Sequence, residues 1–143
     1  MCIIIDANVA NEFSPLTDAA RGIFEWVTEG GRIVSGGRLK AELLKTKFRL
    51  LYQPLLLAGR LIEYEKTAVD QSEKELVDSG ICNSDDPHVI ALARISDARI
   101  LFSRDMQLHA DFCNRSLLRP RGRVYQNQSH THILRSARKC RRL

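Results

Sequence analysis

The chain has 143 residues, of which 44% are hydrophobic and 27% charged, and its formal net charge is +5. This balance is typical of a soluble globular protein, and the length predicts one domain with a buried core. No apolar run approaches the roughly 20 residues that cross a bilayer and no secretory signal is visible, so we expect a cytoplasmic protein without a membrane partner, whose four scattered cysteines are reduced thiols.

A buried strand is predicted at the start of the chain, where three consecutive isoleucines, Ile3 to Ile5, precede Asp6. Short β-branched runs are typical of strands that are buried on both faces of a parallel sheet. In open α/β sheets, ligands bind beyond the carboxyl ends of the strands. Asp6 is therefore the first candidate site residue, and other carboxylates could join it there.

Short strands alternate with helical patterns along the rest of the chain. The predicted elements are helices over 7–13 and 15–29, a strand at 32–35, a helix over 38–57, a strand at 61–64, helices over 67–78 and 87–96, a strand at 99–103, a helix over 106–112 and a strand at 122–125. Strands that alternate with helices indicate a parallel sheet with helices on both faces. The sequence therefore predicts an α/β fold.

The longest predicted helix runs from residue 38 to residue 57. Four apolar residues recur in it at spacings of four, three and four, which predicts a stripe that faces the core. These residues are Leu44, Phe48, Leu51 and Leu55. Glu42 lies on the opposite, charged stripe, one turn into the helix.

Acidic residues follow both of the clear buried strands. Asp105 follows the strand at 99–103, as Asp6 follows the first strand. Asp86 begins the helix that leads into the Asp105 strand, and Glu42 follows the second strand. If the two strands are neighbours, four carboxylates could meet in one cleft, where like charges raise one another's pKa until a cation binds. Oxygen ligands without His or Cys favour Mg²⁺ or Mn²⁺ over zinc.

Each of these acids also has a purely structural interpretation. The three aspartates each precede a helix, so each could be an N-cap that stabilises it by about 1 kcal/mol. Glu42 stands between Arg38 and Lys45 at helical spacing, so it could be one half of a surface ion pair worth about 0.2–0.5 kcal/mol. Caps alone do not explain why both clear buried strands end in Asp, and this coincidence favours a shared site.

Four segments, taken together, resemble the PIN domain family. They are Ile3-Ile-Ile-Asp-Ala-Asn8, Leu39-Lys-Ala-Glu-Leu-Leu44, Asp86-Pro-His-Val-Ile-Ala-Leu-Ala93 and Ile100-Leu-Phe-Ser-Arg-Asp105, and their order and spacing extend over roughly 3–112, most of the chain. The resemblance implies a Rossmann-like α/β/α sandwich with a central parallel sheet. It also implies an endoribonuclease that hydrolyses RNA phosphodiester bonds with Mg²⁺ or Mn²⁺.

The resemblance also assigns the site residues. The family's catalytic and metal-binding acidic quartet matches Asp6, Glu42, Asp86 and Asp105. Asn8 and Ser103 match positions where the family often has small polar residues near the first and last acids.

Two of these assignments stay open in the sequence. Asp85 is adjacent to Asp86, and either could face the metal, although the distance to the alanines of the following helix favours Asp86. Glu63 or Glu65 could take the place of Glu42.

Many small bacterial members of the PIN family are toxins of toxin–antitoxin pairs. Such toxins are held inactive by a small antitoxin protein and are often dimeric. The resemblance therefore implies RNA as the substrate, and a small antitoxin and a second copy of the chain as partners.

Positive charge is concentrated at the carboxyl end of the chain. Nine Lys and Arg residues and no acidic residue follow Asp111, whereas residues 1–111 contain 13 basic and 17 acidic residues. We therefore expect a PIN-like nuclease domain over 1–125, a basic tail over 126–143 and a polyanionic partner such as RNA. Candidates to hold the RNA backbone are parts of this tail together with Arg38, Lys45 and Arg104.

Two other functions stay open. Haloacid-dehalogenase-like phosphatases have an Asp nucleophile after the first strand and a second Asp two residues later, where this chain has Asn8. That difference argues against a phosphatase-like hydrolase. A non-catalytic α/β domain that binds RNA or another partner through the basic tail would keep the acids as caps, and failure to bind Mn²⁺ would favour it.

Overall fold

The structure, a computed structural model, describes residues 1–141, and this part of the chain contains five β-strands and seven α-helices. The strands are β1 (Cys2–Ile5), β2 (Arg32–Gly36), β3 (Leu61–Tyr64), β4 (Ile100–Phe102) and β5 (Arg123–Tyr125). The α-helices are α1 (Asp18–Thr28), α2 (Gly37–Leu43), α3 (Arg49–Leu57), α4 (Lys66–Ser79), α5 (Pro87–Ser96), α6 (Met106–Phe112) and α7 (Thr131–Leu134), and 3₁₀ turns span Ala7–Glu12 and Gln128–His130. Between residues 1 and 141, every helix is too short or too polar to span a bilayer.

All five strands are parallel and form one sheet in the order β3-β2-β1-β4-β5. The chain winds outward from β1 to β3 and then returns to β4 and β5 in the opposite direction. Since crossovers between parallel strands are right-handed, the two sets of connecting helices lie on opposite faces of the sheet. The prediction of an α/β fold, a Rossmann-like sandwich with a central parallel sheet, is confirmed.

The core is centred on β1, whose four residues have no exposed surface. Aromatic rings extend this core towards the carboxyl ends of the strands. Phe13 packs edge to face against Phe48 and Phe102, with ring centroids 5.4 and 6.2 Å apart, and Phe102 contacts Tyr125 at 5.5 Å. Edge-to-face pairs add about 0.5–1.5 kcal/mol each beyond the area they bury. The carboxyl edge of the sheet is therefore supported by well-packed side chains.

The long helix predicted from residue 38 to residue 57 is two helices, α2 and α3, separated by a turn. The Thr46 hydroxyl donates a hydrogen bond to the Leu43 carbonyl at 2.6 Å and accepts one from the Phe48 N–H at 3.1 Å. Such side-chain bonds compete with the helical backbone pattern. The turn also changes the buried stripe, because Phe48 and Leu43 are fully buried whereas Leu44 is 40% exposed. The prediction that Leu44 faces the core was wrong.

Two glycines allow α2 to begin directly at the carboxyl end of β2. Gly36 and Gly37 have φ angles of 148° and 57°, which residues with a side chain rarely adopt. A Cβ atom on Gly36 would lie 2.7 Å from the Tyr64 carbonyl oxygen, and one on Gly37 would lie 2.8 Å from Cγ1 of Val69. This close approach packs α2 against α4 and sets the position of Glu42 in the last turn of α2.

The described part of the predicted basic tail, residues 126–141, packs on the domain. Helix α7 contacts α1, and Ile133 and Leu134 are buried. The N–H of Cys2 donates to the Arg138 carbonyl at 3.0 Å, and the N–H of Arg141 donates to the Ser96 carbonyl at 2.9 Å. The segment therefore crosses the amino-terminal edge of the sheet beside β1 and the end of α5.

A disulfide joins Cys2 to Cys140, whose Cα atoms are 5.5 Å apart. The prediction of four reduced cysteines is therefore wrong for this pair, whereas Cys82 and Cys113 are free thiols. The two bonded cysteines are separated by 138 residues in the sequence. Only the return of the chain across the sheet edge brings them together, and no local spacing pattern records that return.

We expect that Leu134→Ala lowers the free energy of unfolding by about 2–5 kcal/mol, because Leu134 is 2% exposed and its truncation leaves a cavity under α7. Urea unfolding followed by circular dichroism measures this change. Leu50→Ala is the matched control, since Leu50 is 58% exposed and its truncation should change stability by less than about 0.5 kcal/mol. Equal stabilities of the two variants would mean that residues 126–141 do not pack on the domain in solution.

Candidate functional site

The candidate site lies at the carboxyl ends of β1 and β4, where the order of strands in the sheet reverses direction. The chain leaves β1 towards β2 on one side, and β4 adjoins β1 on the other side. Helices that follow strands on the two sides therefore diverge at this point and leave a crevice, in which open α/β sheets bind their ligands. Asp6 follows β1 and Ser103 follows β4 at this edge.

Asp6 is buried against the end of β4, with only 5% of its surface exposed. Its Oδ2 atom accepts a hydrogen bond from the Ser103 hydroxyl at 2.7 Å. Burial raises the pKa of the Asp6 carboxyl, the Ser103 hydrogen bond opposes this shift, and the charge of Glu42 adds to it. Among residues 1–141, Asp6 makes no side-chain capping bond to the 3₁₀ turn that follows, so the N-cap interpretation does not explain it.

Glu42 pairs with His88 across the crevice. Nε2 of His88 lies 2.7 Å from Oε1 of Glu42, which connects the last turn of α2 to the first turn of α5. His88 is 2% exposed, and within the described residues its Nδ1 atom has no hydrogen-bond partner. The ion-pair interpretation of Glu42 with Arg38 does not hold, because Arg38 binds Glu73 at 2.8 Å.

Asp86 precedes α5, and its side chain makes no capping hydrogen bond in the part of the chain that is described. Burial raises the pKa of Asp86, and the nearby charges of Asp6, Glu42 and Asp105 raise it further. The half-buried Asp86 therefore belongs to the acidic cluster, whereas the adjacent Asp85 is exposed. This arrangement agrees with the preference of the sequence for Asp86.

Asp105 caps helix α6, as the structural interpretation of this residue predicts. Its Oδ1 atom accepts hydrogen bonds from the N–H groups of Gln107 and Leu108 at 3.0 and 3.3 Å. Its charge nevertheless contributes to the raised pKa of Asp86, so it also lies close to the cluster. Asp105 therefore caps α6 with one oxygen, and its charge also acts on Asp86.

The structure brings the four predicted acids into one electrostatic group. Ligand atoms of Glu42, Asp86 and His88 all lie within 4.8 Å of one another and could hold a metal ion. Asp6 and Asp105 interact with this group through their charges. One buried carboxylate, that of Asp6, and three partly buried ones with unfavourable mutual charge match the oxygen-rich donor set that hard divalent cations prefer. The residues present therefore fit a divalent cation.

The alternatives to Glu42 lie in other surroundings. Glu63 accepts a hydrogen bond from the Tyr52 hydroxyl at 2.7 Å and pairs with Lys40 at 3.0 Å. Glu65 is exposed and precedes α4. Neither shares ligand-distance contacts with Asp86 among the described residues, so the structure favours Glu42 as the second acid.

The predicted polar and basic residues near the acids differ in whether their side chains already have a bonding partner. Asn8 is exposed and its Oδ1 accepts the Arg104 N–H at 3.5 Å. The Arg104 guanidinium binds both carboxylate oxygens of Glu12 at 3.0 Å. Together with the Arg38–Glu73 pair, this leaves Lys45 as the one predicted RNA-binding side chain among these three without an acidic partner in residues 1–141.

Asp111 is a supporting residue that the sequence did not indicate. It is fully buried, and its two carboxylate oxygens accept hydrogen bonds from the N–H groups of Asn83 and Ser84 at 2.9–3.0 Å. The loop that carries Asp86 is thereby anchored to the end of α6. No pattern within α6 distinguishes Asp111 from a surface acid, because its partners are backbone groups 27 and 28 residues away.

His88 is the second residue that sequence reasoning missed, since a histidine at a helix start is most often structural. A signal was present in the sequence. His88 follows Asp86 by two residues within an otherwise apolar helix, so a polar ring there needs a partner beyond its own helix. Only the packing of α2 on α5 identifies that partner as Glu42.

Comparisons with models of known protein families, with curated proteins and with solved structures give no match to this chain. The PIN resemblance therefore stays a prediction, and the geometry of the site carries the functional argument below.

We expect that Asp111→Ala lowers the free energy of unfolding by about 1–3 kcal/mol, because the buried N–H group of Ser84 and the partly buried N–H group of Asn83 lose their acceptor. Chemical denaturation gives this change. Asp78→Ala, at an exposed acid near the end of α4, serves as the control and should have little effect. A variant Asp111→Ala as stable as the wild type would show that this carboxylate does not anchor the loop.

We expect that Asp6→Asn raises the free energy of unfolding by about 0.5–2 kcal/mol in the absence of metal, the range that single stabilising substitutions commonly give. Asn keeps an acceptor for the Ser103 hydroxyl and removes a buried charge whose pKa is raised. The gain should shrink as the pH falls through the raised pKa of Asp6, because the protonated carboxyl carries no charge. Thermal unfolding between neutral and acidic pH measures both effects, and an unchanged or lower stability at neutral pH would contradict them.

Proposed function

We propose that this chain is a metal-dependent endoribonuclease that hydrolyses RNA phosphodiester bonds with Mg²⁺ or Mn²⁺. The observation that carries the proposal is the convergence of Asp6, Glu42, Asp86 and Asp105 at the carboxyl ends of β1 and β4. Phosphodiester hydrolysis needs positive charge beside the phosphate and an activated water, and a cation held by carboxylates supplies both. The resemblance to the PIN domain family supports RNA as the substrate.

A bound divalent cation would lower the pKa of a water molecule and offset negative charge on the reacting phosphate. The chain itself supplies position rather than a covalent nucleophile. Ser103 holds the Asp6 carboxylate through Oδ2, and Asp111 fixes the loop that presents Asp86. Asp105 keeps one oxygen on the α6 backbone, which fixes its carboxylate at the edge of the crevice. The acids are therefore held in place before a cation or substrate arrives.

His88 acts in this proposal as a donor that positions Glu42. A neutral imidazole has one N–H group, and a buried N–H without an acceptor is costly. A proton on Nε2 would be donated to Oε1 of Glu42, 2.7 Å away, whereas Nδ1 has no acceptor among the described residues. If Nε2 instead bound the cation, the proton would move to the unpartnered Nδ1. The geometry therefore supports a positioning role for His88 and leaves the carboxylates as the metal ligands.

The positioning role of His88 predicts different results for two substitutions. His88→Met removes the donor and should weaken Mn²⁺ binding by about 10–100-fold, the usual cost of losing an outer-shell partner. His88→Gln keeps a donor near the position of Nε2 and should retain most of the affinity. Titration calorimetry with Mn²⁺ and with Mg²⁺ measures both variants. If both variants lose the same affinity, and the loss is larger for Mn²⁺ than for Mg²⁺, His88 would be identified as a metal ligand instead.

Cleavage of a mixed RNA pool tests the activity directly. Wild type with Mn²⁺ should cleave, and chelator should abolish cleavage. Asp6→Asn and Asp86→Asn should each reduce the rate by at least about 100-fold, more than the usual cost of an outer-shell substitution. Asp85→Asn is the matched control, because the same substitution at the exposed neighbour should leave the rate unchanged.

The same variants separate the proposal from its alternatives. Equal cleavage by wild type and Asp6→Asn would identify a contaminating nuclease. If no variant cleaves, thermal unfolding with Mn²⁺ decides, because a cation at about 100 times its Kd stabilises the folded state by about 2.7 kcal/mol. A metal-dependent shift that Asp6→Asn loses would favour a nuclease selective for one RNA. Absence of any shift would favour the non-catalytic RNA- or partner-binding domain.

The PIN resemblance, rather than any contact in the chain, supports a role as the toxin of a toxin–antitoxin pair. In that role a small antitoxin protein would block the crevice, and the chain could form a homodimer. Expression of the chain should arrest growth, and co-expression of the antitoxin should relieve the arrest. Loss of the arrest in Asp6→Asn would connect it to the acidic cluster, and equal arrest by wild type and variant would contradict the proposal.

A further inference from the structure

Positive charge is concentrated on the edge of the sheet that is opposite the acidic crevice. An arginine stands at or directly before the first residue of four strands, namely β3, β2, β4 and β5. Adjacent strands lie about 4.8 Å apart, so these side chains follow the edge as a row. We call this surface the basic edge and define it by Arg32, Arg60, Arg99, Arg121, Arg123, Arg138, Lys139 and Arg141.

The carboxyl-terminal segment completes the row. Its backbone is bonded to Cys2 through Arg138 and to Ser96 through Arg141, so these residues lie beside the start of β1 and the end of α5. Burial, and then the charges of Arg32 and Lys139, lower the pKa of the Met1 amino group. The Arg32 N–H donates to the Met1 carbonyl at 2.9 Å, so β2 begins on one side of the first two residues and the Arg138–Lys139 segment lies on the other. Cations from distant parts of the sequence therefore flank the start of β1.

A groove at one end of the basic edge is open to solvent and lined mainly by arginines. Its lining includes Arg99, Arg121, Arg123 and Arg138, together with Pro120 and Ser136. Arg99 is 8% exposed and its side chain donates to the carbonyl oxygens of Pro120 and Ala93 at 2.8 Å, so its guanidinium builds the floor of the groove. The three other arginines are exposed.

Little negative charge balances these cations. Asp97 pairs with Arg138 at 3.0 Å and with Arg99 at 3.6 Å. Within residues 1–141, no carboxylate lies within 4.0 Å of a charged nitrogen in the six remaining cations, which are Arg32, Arg60, Arg121, Arg123, Lys139 and Arg141. The basic edge therefore carries free positive charge along its length.

At the edge that carries the acidic crevice, the cations are mostly paired. Three of the cations near it already have acidic partners, since Arg38 binds Glu73, Lys40 binds Glu63 and Arg104 binds Glu12. The acidic cluster itself repels phosphate until a cation binds. The crevice can therefore react with a phosphodiester but offers little charge to hold a long polyanion. The charge that could hold one lies at the opposite end of the strands.

We propose that the basic edge is a second RNA-binding surface, which holds the phosphate backbone of RNA beyond the segment that enters the acidic crevice. This inference rests on the proposed function for its choice of RNA. Arginine binds phosphate through two parallel N–H groups, which suits a row of guanidinium groups to a phosphate chain. Binding at such a surface is mainly electrostatic and independent of base sequence.

The separation of the two surfaces predicts a dependence on RNA length. Strands of three to five residues, at about 3.3 Å per residue, place the edges roughly 10–17 Å apart. An RNA of about 4 nucleotides matches the smallest site size of a single-strand binding domain, whereas one of about 24 nucleotides exceeds the largest and can reach both surfaces. The longer RNA should therefore bind more tightly, and the substitutions that remove edge cations should affect it most.

Fluorescence anisotropy with labelled single-stranded RNA tests this inference on the full chain. Chelator is present, so that no RNA is cleaved and binding does not depend on the metal. The double variant Arg32→Gln/Arg123→Gln should reduce the slope of log affinity against log salt by about 1.4, since each lost contact with single-stranded RNA removes about 0.7. Between 50 and 200 mM salt, both proteins should lose affinity for the longer RNA. The factor by which wild type loses affinity should be about seven times the factor for the double variant.

The matched control is Arg21→Gln/Lys74→Gln, which removes the same charge from exposed positions on α1 and α4. The control should keep the wild-type slope. Equal slopes for the two double variants would overturn the inference, because net charge alone would then explain the binding. Edge-dependent binding to vesicles that contain phosphatidylserine, without edge-dependent binding to RNA, would also overturn it and would assign the surface to an anionic membrane.

Failure of this inference can be distinguished from failure of the proposed function. If Mn²⁺-dependent RNA cleavage requires Asp6 but the edge variants bind RNA like the control, the inference falls and the nuclease stands. If RNA binding requires the basic edge but no RNA is cleaved and no metal binds, the edge stands as an RNA-binding surface and the nuclease falls.

Discussion

The burial of β1 in the centre of a parallel sheet is the constraint on which the site depends. The four apolar residues of β1 have no exposed surface, because a strand lies on each side of them and a layer of helices on each face of the sheet. The residue that follows them therefore emerges at the carboxyl edge of the sheet. That residue is Asp6. The segments that follow the two neighbouring strands lead to Glu42 on one side and to Ser103 and Asp105 on the other. The same packing that stabilises the core therefore brings charged groups together, and burial, with a smaller contribution from their mutual repulsion, raises the pKa values of Asp6 and Asp86.

Buried polar groups hold the two sides of the crevice at fixed positions. His88 connects α5 to α2 through Glu42, and Asp111 connects the loop before α5 to the end of α6. Both side chains are almost fully buried, so each bond is protected from competition with water. The glycines at the start of α2 contribute in another way, because their missing side chains let α2 lie against α4. Precise placement of the acids is thus a property of the whole carboxyl edge rather than of the acids alone.

The sequence was sufficient for the features that local patterns encode. The triple isoleucine, the Asp-Pro helix start and the alternation of strands with helices predicted the α/β fold, and the two acids after buried strands predicted where charges would converge. The sequence was insufficient for features that depend on particular side-chain bonds or on contacts between distant parts of the chain. Thr46 broke the long helix through two short-range bonds to the backbone, and Cys2 met Cys140 only because the final segment returns across the sheet. His88 and Asp111 looked like ordinary helix residues, since their partners lie 46 and about 27 residues away.

The opposite placement of the acidic crevice and the basic edge gives the domain a permanent electric dipole along its strands. In the field of a polyanion such a molecule turns before it makes contact, so that its basic edge arrives first. At physiological ionic strength the screening length is about 8 Å, shorter than the roughly 10–17 Å between the two edges. A nucleic acid held at one edge would therefore feel little repulsion from the carboxylates at the other. If the proposed nuclease activity holds, capture and chemistry would be separate events in time, and salt would govern the first far more strongly than the second.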